Sequence, residues 1–379
     1  MKKTFLFLAI FAVLLSCHPK EAMEAGGPPS TVMPDDTVNF TPPKNIILMV
    51  ADGMGLTAIS AGMYLNGNKL NLEEFEYIGL QKTYASDNIV TDDAAALTAI
   101  ACGKKTYNEA IGVDKKGKQL KSILEEAKEK GLATGFVVKS SITQPLPACF
   151  FSHQKNKGMV AQIASDMVKS DIDFFVGGGK KDFDKRLDAQ NLINELKEKG
   201  YAISTYLDGG FTNVKIDAAK KFGYFTAEGE PSATGDMQDY LVPACSLGMD
   251  YLSKKQEKGF FLLVGSSQIA KGGLLHDSKL ITNEMIAFDQ AIGAVLNFAK
   301  NDGQTLIIVT ADCETGGYAI NPTSTMDTIV AAFTADGNTA QMIPVFAWGP
   351  GEELFGGVYE NVSIYDKMRR AFGFKNTVQ

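Results

Sequence analysis

Apolar runs that end at small or acidic residues recur along this chain, and amphipathic stretches separate them. Examples are IILMVA before Asp52, FFLLV before Gly265 and LIIVTA before Asp312. A continuous apolar run of this length is typical of a strand that is buried on both faces, as in a parallel sheet. Intervening stretches such as NEMIAFDQAIGAVLNFAK have the spacing of helices. The alternation predicts an α/β fold, with a central, mostly parallel sheet flanked by helices on both faces.

The N-terminal segment carries a signal that is separate from the fold. MKKTFLFLAIFAVLLSC has two lysines, then an apolar run that is too short to span a membrane comfortably, and then the small residues Ser16 and Cys17, which are typical of a cleavage region. It predicts a bacterial lipoprotein signal peptide over residues 1–17, in which Cys17 is lipidated. A plain signal peptide that is cut near Cys17 is the alternative. The polar, Gly- and Pro-rich residues 18–43 predict a flexible tether, and residues 44–379 predict a single domain.

Export with a lipid predicts attachment to a membrane through the N-terminus, in the periplasm or at the outer cell envelope. The formal net charge of −7 argues against nucleic acid as a partner. No other segment is apolar over a length that spans a bilayer. The four cysteines that follow Cys17 lack the spacing of a disulfide framework, so we expect them to be free and mostly buried.

Carboxylates lie at the predicted carboxyl ends of two strands. Asp52 and Asp312 each follow an apolar run, and ligands of open α/β sheets bind at this edge. A further pair, Asp92 and Asp93, precedes the small-residue run AAALTAIAC, which predicts a buried helix. These two residues are candidates either for capping the helix, whose first N–H groups and dipole favour negative charge, or for membership of a site.

Several segments resemble, in the same order, the signature segments of alkaline phosphatases. They are NIILMVADGMG, VTDDAAALTAIACGKKT, ITQPLPACFFSH, GSSQIAKGGLLHD, TADCETGGY and IPVFAWGPG. The resemblance runs from about Lys44 to Phe374 and implies an alkaline-phosphatase-like fold. It also implies hydrolysis of phosphate monoesters through a phosphoserine, with two zinc ions, a magnesium ion and an arginine that holds the phosphate. By analogy it implies a phosphorylated small molecule as ligand and a homodimer.

The matching positions depart from the family pattern at the nucleophile. Asp93 stands where the family has its serine, and Cys313 stands where it has a histidine, whereas Asp52 and Asp312 are kept. In the family these positions surround one metal, so the resemblance implies that Asp52, Asp93, Asp312 and Cys313 converge and that their three carboxylates and thiolate hold a single zinc ion. The alternative is that Asp93 caps its helix and Cys313 is a small buried apolar residue. The full set of two zinc ions and magnesium is not expected.

The remaining ligand positions of the family carry side chains that bind metals poorly or not at all. The second zinc site falls on Ala270, Leu274 and Asn338, and the magnesium site falls on Leu146 and Gly265. The phosphate-binding arginine falls near Lys157, which keeps the charge but not the two-pronged geometry. The chain has only three histidines, too few to rebuild an imidazole-rich zinc pair.

These departures favour a degenerate member of the family, with little or no phosphomonoesterase activity and a binding role on the cell envelope. A hydrolase with a remodelled metal centre is the alternative, and an ordinary alkaline phosphatase is a third interpretation. Whether the chain is an enzyme stays open at this point.

Overall fold

A computed structural model describes residues 39–211, 214, 216–232 and 240–375. The predicted signal peptide, the predicted lipidation site Cys17 and nearly all of the predicted tether lie outside the described residues. Within them the strands are β1 Asn45–Ala51, β2 Tyr77–Lys82, β3 Ala133–Ser141, β4 Phe174–Gly178, β5 Tyr201–Thr205, β6 Lys221–Phe225, β7 Phe260–Ser266, β8 Thr305–Thr310, β9 Glu314–Thr315, β10 Ala319–Ile320, β11 Ala331–Ala332, β12 Asn338–Thr339, β13 Ile343–Trp348 and β14 Gly357–Glu360.

The helices alternate with these strands along the chain. They are α1 Leu56–Leu65, α2 Asp93–Cys102, α3 Ile123–Glu129, α4 Pro145–Ala148, α5 Val160–Lys169, α6 Lys181–Asp184, α7 Leu192–Glu198, α8 Leu241–Lys255, α9 Gln268–Leu274, α10 Ser278–Asp302 and α11 Val362–Ala371. Among the described residues no helix is both long enough and apolar enough to cross a membrane.

Ten of the strands form one sheet in the order β14-β2-β13-β8-β1-β7-β3-β4-β6-β5. Strand β1 lies between β7 and β8 and runs parallel to both. Strand β13 is antiparallel to its neighbours β8 and β2, while the pairs from β8 to β5 are parallel. The predicted α/β fold, with a mostly parallel central sheet, is confirmed.

Alternate residues of β1 face opposite sides of the sheet, and each side packs on its own helices. Ile46, Leu48 and Val50 join one cluster with buried residues of α2, α3, α5 and α11. Ile47 and Met49 join the other, with buried residues of α1, α8 and α10. All seven residues of β1 are buried, as its continuous apolar run predicts for a strand covered on both faces.

The less apolar strands were not apparent from the sequence. β2 and β14 at one edge are partly exposed, and β5 at the other edge is mostly half-buried. The stretch between β8 and β13 contains the short antiparallel pairs β10 with β11 and β12 with β9. A strand that is partly exposed has polar residues among its apolar ones. Its sequence therefore lacks the continuous apolar run that marks the centre of the sheet.

Candidate active site and metal centre

The carboxyl ends of β1 and β8 bring three candidate ligands together. Asp52 follows β1 directly, and Asp312 and Cys313 follow β8. One ligand atom from each of the three lies within 4.8 Å of the others. Asp312 and Cys313 have no exposed surface and Asp52 is 7% exposed. Parallel neighbours end at the same edge of a sheet, which is why residues about 260 positions apart meet here.

The atoms of this trio have few partners in the protein. The Cys313 thiol lies 3.9 Å from Asp52 Oδ1 and 3.7 Å from the hydroxyl of Thr315. The Oδ1 atom of Asp312 accepts a 3.4 Å hydrogen bond from the Gly53 amide. Its Oδ2 atom is buried and has no hydrogen-bond partner in the described part of the chain. A buried, unpaired carboxylate oxygen is costly, and a bound cation removes that cost.

The electrostatics of the trio also favour a cation. Burial first, and then the charges of Asp312 and Asp93, raise the pKa of Asp52 well above its usual range. Burial and the charge of Asp93 raise the pKa of Asp312 to about 7. Burial, with the neighbouring carboxylates, also raises the pKa of the Cys313 thiol. Two carboxylates and a sulfur are a donor set that zinc accepts, so these residues fit one zinc ion.

Asp92 is the N-cap of α2. Its Oδ1 atom accepts a 2.9 Å hydrogen bond from the Ala95 amide, as expected for an aspartate at this position. Its Oδ2 atom accepts a 2.8 Å bond from the Glu109 amide and lies 2.9 Å from the Lys157 ammonium. The capping role weighed for this residue is thus observed, and the same side chain also holds Lys157.

Asp93 begins α2 and pairs with Lys157. The Lys157 ammonium donates a 2.6 Å hydrogen bond to Asp93 Oδ1, which also accepts a 2.9 Å bond from the Ala94 amide. Burial raises the pKa of Asp93, and Lys157 only partly offsets that effect. Burial lowers the pKa of Lys157, but the two carboxylates outweigh burial and the net shift is upward. The charge of Asp93 is close enough to raise the pKa of Asp52 and Asp312, but Asp93 is not in the group of ligand atoms within 4.8 Å of one another, and its Oδ1 is directed at a lysine.

The two positions matched to magnesium ligands pack against each other. Leu146 is 1% exposed, and a Cβ atom added at Gly265 would lie 2.5 Å from Leu146 Cδ2. The leucine side chain therefore fills the space that a side chain at Gly265 would enter. These residues do not fit a magnesium ion, which prefers oxygen ligands and retains water.

The positions matched to the second zinc site lie on α9 and β12. Ala270 is buried, and its amide donates a 2.9 Å hydrogen bond to the Asp52 carbonyl. Leu274 is 55% exposed. Asn338 accepts a 2.9 Å bond from the Thr315 hydroxyl and donates to the Thr91 carbonyl. An alanine and a leucine offer no donor atom, and the asparagine is already engaged, so these side chains do not fit a zinc ion.

Histidine 276 does not supply the missing imidazole. Its ring stacks on Phe333 with 4.7 Å between the ring centres, and its Nε2 atom lies 3.0 Å from the Ala335 carbonyl. Its side chain is 40% exposed. His276 is therefore an exposed residue that Phe333 and the Ala335 carbonyl engage.

Sequence reasoning missed two features near the strand ends. The Ser267 side chain acts to lower the pKa of Asp52, against the larger effect of burial. Lys139, at the end of β3, forms a 2.8 Å ion pair with Glu284 of α10, and both side chains are almost fully buried. A lysine inside the apolar strand ATGFVVKSS was the one available signal for the pair, since buried lysines are rare unless paired.

Comparisons with known proteins agree with this architecture. A sequence model of the alkaline phosphatase family matches residues 43–336. Alkaline phosphatase 3 of Bacillus subtilis is 39% identical over 338 residues, which is 84% of this chain and 71% of that protein. Alkaline phosphatase 4 of the same organism is 39% identical over 73% of this chain, and the match covers 62% of its own length.

The solved structure of alkaline phosphatase from the Antarctic bacterium TAB5 has a similar fold. It superimposes with a TM-score of 0.82 at 38% sequence identity, over 89% of this chain and 100% of that one. The family model, the related sequences and the solved structure all match alkaline phosphatases. The chain belongs to the alkaline phosphatase family.

Proposed function

We propose that this protein is a degenerate alkaline phosphatase, with little or no phosphomonoesterase activity and a cleft, formed by Asp52, Asp93, Asp312, Cys313 and Lys157, that binds one zinc ion. The observation that carries the proposal is the packing of Leu146 against Gly265, which replaces a metal site by apolar contact. Ala270 and Leu274 remove donor atoms from a second site. Zinc on Asp52, Asp312 and Cys313 would supply one positive centre at the strand ends.

The charge of the cleft supports the same proposal. Efficient transfer of a phosphoryl group depends on cations that neutralise the developing charge. Asp52, Asp93 and Asp312 place carboxyl groups, two of them almost fully buried, where an incoming dianion needs cations, and the ammonium of Lys157 is already paired with Asp92 and Asp93. Loss of several members of a catalytic unit commonly reduces kcat by about 10³-fold or more.

The decisive experiment measures metal content and turnover of p-nitrophenyl phosphate on the same preparation, with zinc and magnesium supplied. We expect close to one zinc per chain and a rate at least about 10³-fold below that of an active family member assayed in parallel. A rate comparable to that enzyme contradicts the proposal.

A hydrolase with a remodelled centre is the second candidate, because the trio and Asp93 still adjoin one another. A carboxylate can accept a phosphoryl group in principle. In that case turnover should rise with zinc occupancy and vanish in both Asp93→Asn and Cys313→Ala. Residual turnover that persists in both variants comes from a contaminant and rejects this candidate.

Export as a lipoprotein is proposed from the N-terminal segment, and Cys17 would carry the lipid at the periplasmic or outer face of the envelope. A homodimer and a phosphorylated small-molecule ligand are proposed from the resemblance to the family. Sedimentation of the purified chain distinguishes a dimer from a monomer.

A further inference from the structure

The contact between Asp93 and Lys157 places a carboxylate oxygen between an ammonium and an amide at the start of α2. Asp93 Oδ1 accepts hydrogen bonds from the Lys157 ammonium at 2.6 Å and from the Ala94 amide at 2.9 Å. An ammonium and an amide at the N-terminus of a helix are the groups that commonly bind an oxygen of a phosphate or another oxyanion. An oxygen of the chain itself therefore occupies the place of a ligand oxygen.

The surrounding contacts hold this arrangement in place. Asp92 Oδ2 lies 2.9 Å from the Lys157 ammonium and is itself held by the Glu109 amide at 2.8 Å. The Lys157 amide donates a 2.8 Å hydrogen bond to the Glu109 carbonyl. The lysine is thus fixed at its backbone and at its ammonium, and two of its three donors are directed at carboxylates.

We propose that Asp93 is a specificity-determining residue, a built-in anion that occupies the oxyanion seat formed by Lys157 and the Ala94 amide and excludes phosphate from the cleft. The proposal rests on the proposed function, because it concerns the same cleft. Removing the Asp93 carboxylate frees one donor of Lys157 and the amide of Ala94. It also removes a negative charge that faces Asp52 and Asp312. The cleft then accepts an oxyanion that the wild-type protein rejects.

Isothermal titration calorimetry with inorganic phosphate, on the full chain in EDTA, tests the proposal without any need for turnover. We expect no saturable binding to the wild type over the titrated range. Asp93→Ala should bind saturably, with an affinity at least about tenfold above the detection limit set by the wild-type titration, because the charge-assisted contacts are freed. Asp93→Ser, which also shortens the side chain, should gain binding in the same way. The double variant Asp93→Ala/Lys157→Met should lose it.

Asp312→Asn, titrated at a pH above the raised pKa of Asp312 of about 7, is the matched control, because it removes one carboxylate charge from the same cleft and leaves the pair of Asp93 and Lys157 intact. We expect it to bind phosphate no better than the wild type. An equal increase in phosphate affinity in Asp312→Asn and Asp93→Ala would show that only the net charge of the cleft matters, and it would overturn the proposal. Folded Asp93→Ala and Asp93→Ser proteins that bind no tighter than the wild type would also overturn it. Failure of the proposed function appears separately, as wild-type turnover of p-nitrophenyl phosphate.

Discussion

At the scale of single residues, the cleft combines buried acids with one cation. Asp312 and Cys313 are fully buried and Asp52 is nearly so, and burial is the largest cause of the raised pKa of each. Lys157 pairs with Asp92 and Asp93. Its positive charge therefore does not neutralise the trio of Asp52, Asp312 and Cys313. Deprotonating the trio in the folded protein is costly without a cation, and this makes metal binding and folding stability interdependent.

Zinc should therefore stabilise the folded protein. A ligand that binds only the native state adds about 2.7 kcal/mol at a hundredfold excess over its dissociation constant. We expect the melting temperature to rise with zinc, measured by circular dichroism, and the Cys313→Ala variant to lose most of that rise. Magnesium is the control, since it disfavours a thiolate ligand. An equal response of Cys313→Ala and wild type to zinc would place the ion elsewhere.

The pair of His153 and Glu125 gives stability a pH dependence of its own. His153 Nε2 lies 2.8 Å from Glu125 Oε1, and its Nδ1 lies 2.9 Å from the Gly112 carbonyl. Burial lowers the pKa of His153, but the hydrogen bond to Glu125 and its charge outweigh burial, so the net pKa is raised above 6.5. The contribution is complete below 6.5 and is lost as the pH rises through the raised value.

The expected size of this effect is about 1 kcal/mol or less, because both side chains are partly exposed. His153→Gln should remove the fall in the free energy of unfolding above the ordinary histidine pKa, measured by urea denaturation across that range. Glu125→Gln, which retains an oxygen to cap α3, should flatten the same interval. Profiles that keep the wild-type slope in both variants contradict the assignment.

At the scale of elements, the replaced magnesium position is a packing contact between β7 and the segment of α4. Gly265 in β7 leaves room for Leu146, and the two residues are therefore coupled. A similar close approach occurs at Gly53, where a Cβ atom would lie 2.6 Å from Ala270 Cα and the φ angle is +83°. Small residues at these two positions let α4 and α9 approach the strand ends closely.

Gly265→Ala should destabilise the protein by about 1–3 kcal/mol through overpacking against Leu146. Leu146→Ala alone should cost about 2–5 kcal/mol through the cavity that it leaves. The double variant should cost less than the two single variants together, because each change relieves the other, and the coupling should be about 1 kcal/mol or more. Urea denaturation of the four proteins measures the cycle, and strict additivity would show that the contact is not formed.

At the scale of the whole molecule, the domain and its N-terminal segment are proposed to have separate roles. The sheet and its helices position the cleft, and residues 1–43 would direct export and attachment. In this proposal the lipid on Cys17 provides the anchor. A single acyl chain binds a membrane only weakly. The proposal therefore requires that the lipid on Cys17 carries more than one acyl chain.

Cys17→Ser should move the protein from the membrane fraction to the soluble fraction of cells that express it. Fractionation followed by immunoblotting makes the measurement, and the wild-type chain is the reference. Cys245→Ser, which removes a buried thiol of the domain, is the matched control and should stay with the membranes. A Cys17→Ser protein that remains membrane-bound would reject lipidation at this residue.

The sequence alone determined the central strands, the buried helix α2 and the identities of the altered site residues. Continuous apolar runs mark buried strands wherever they occur, and Asp93, Cys313 and Leu146 are legible once the segments are aligned. The trio at the strand ends was also predictable, because parallel strands end at one edge. These features follow from local patterns, because the spacing of apolar residues indicates whether a segment is a helix or a strand and which of its faces are buried.

Only the tertiary structure decided how the altered side chains are used. Lys157 lies 64 residues from Asp93 in the chain, and no local pattern indicates that its ammonium turns to that carboxylate. The filling of the space at Gly265 by Leu146, the buried pair of Lys139 with Glu284 and the edge strand β14 are also long-range outcomes. Each depends on which surfaces meet after the sheet has formed, since packing and charge pairing act through space rather than along the chain.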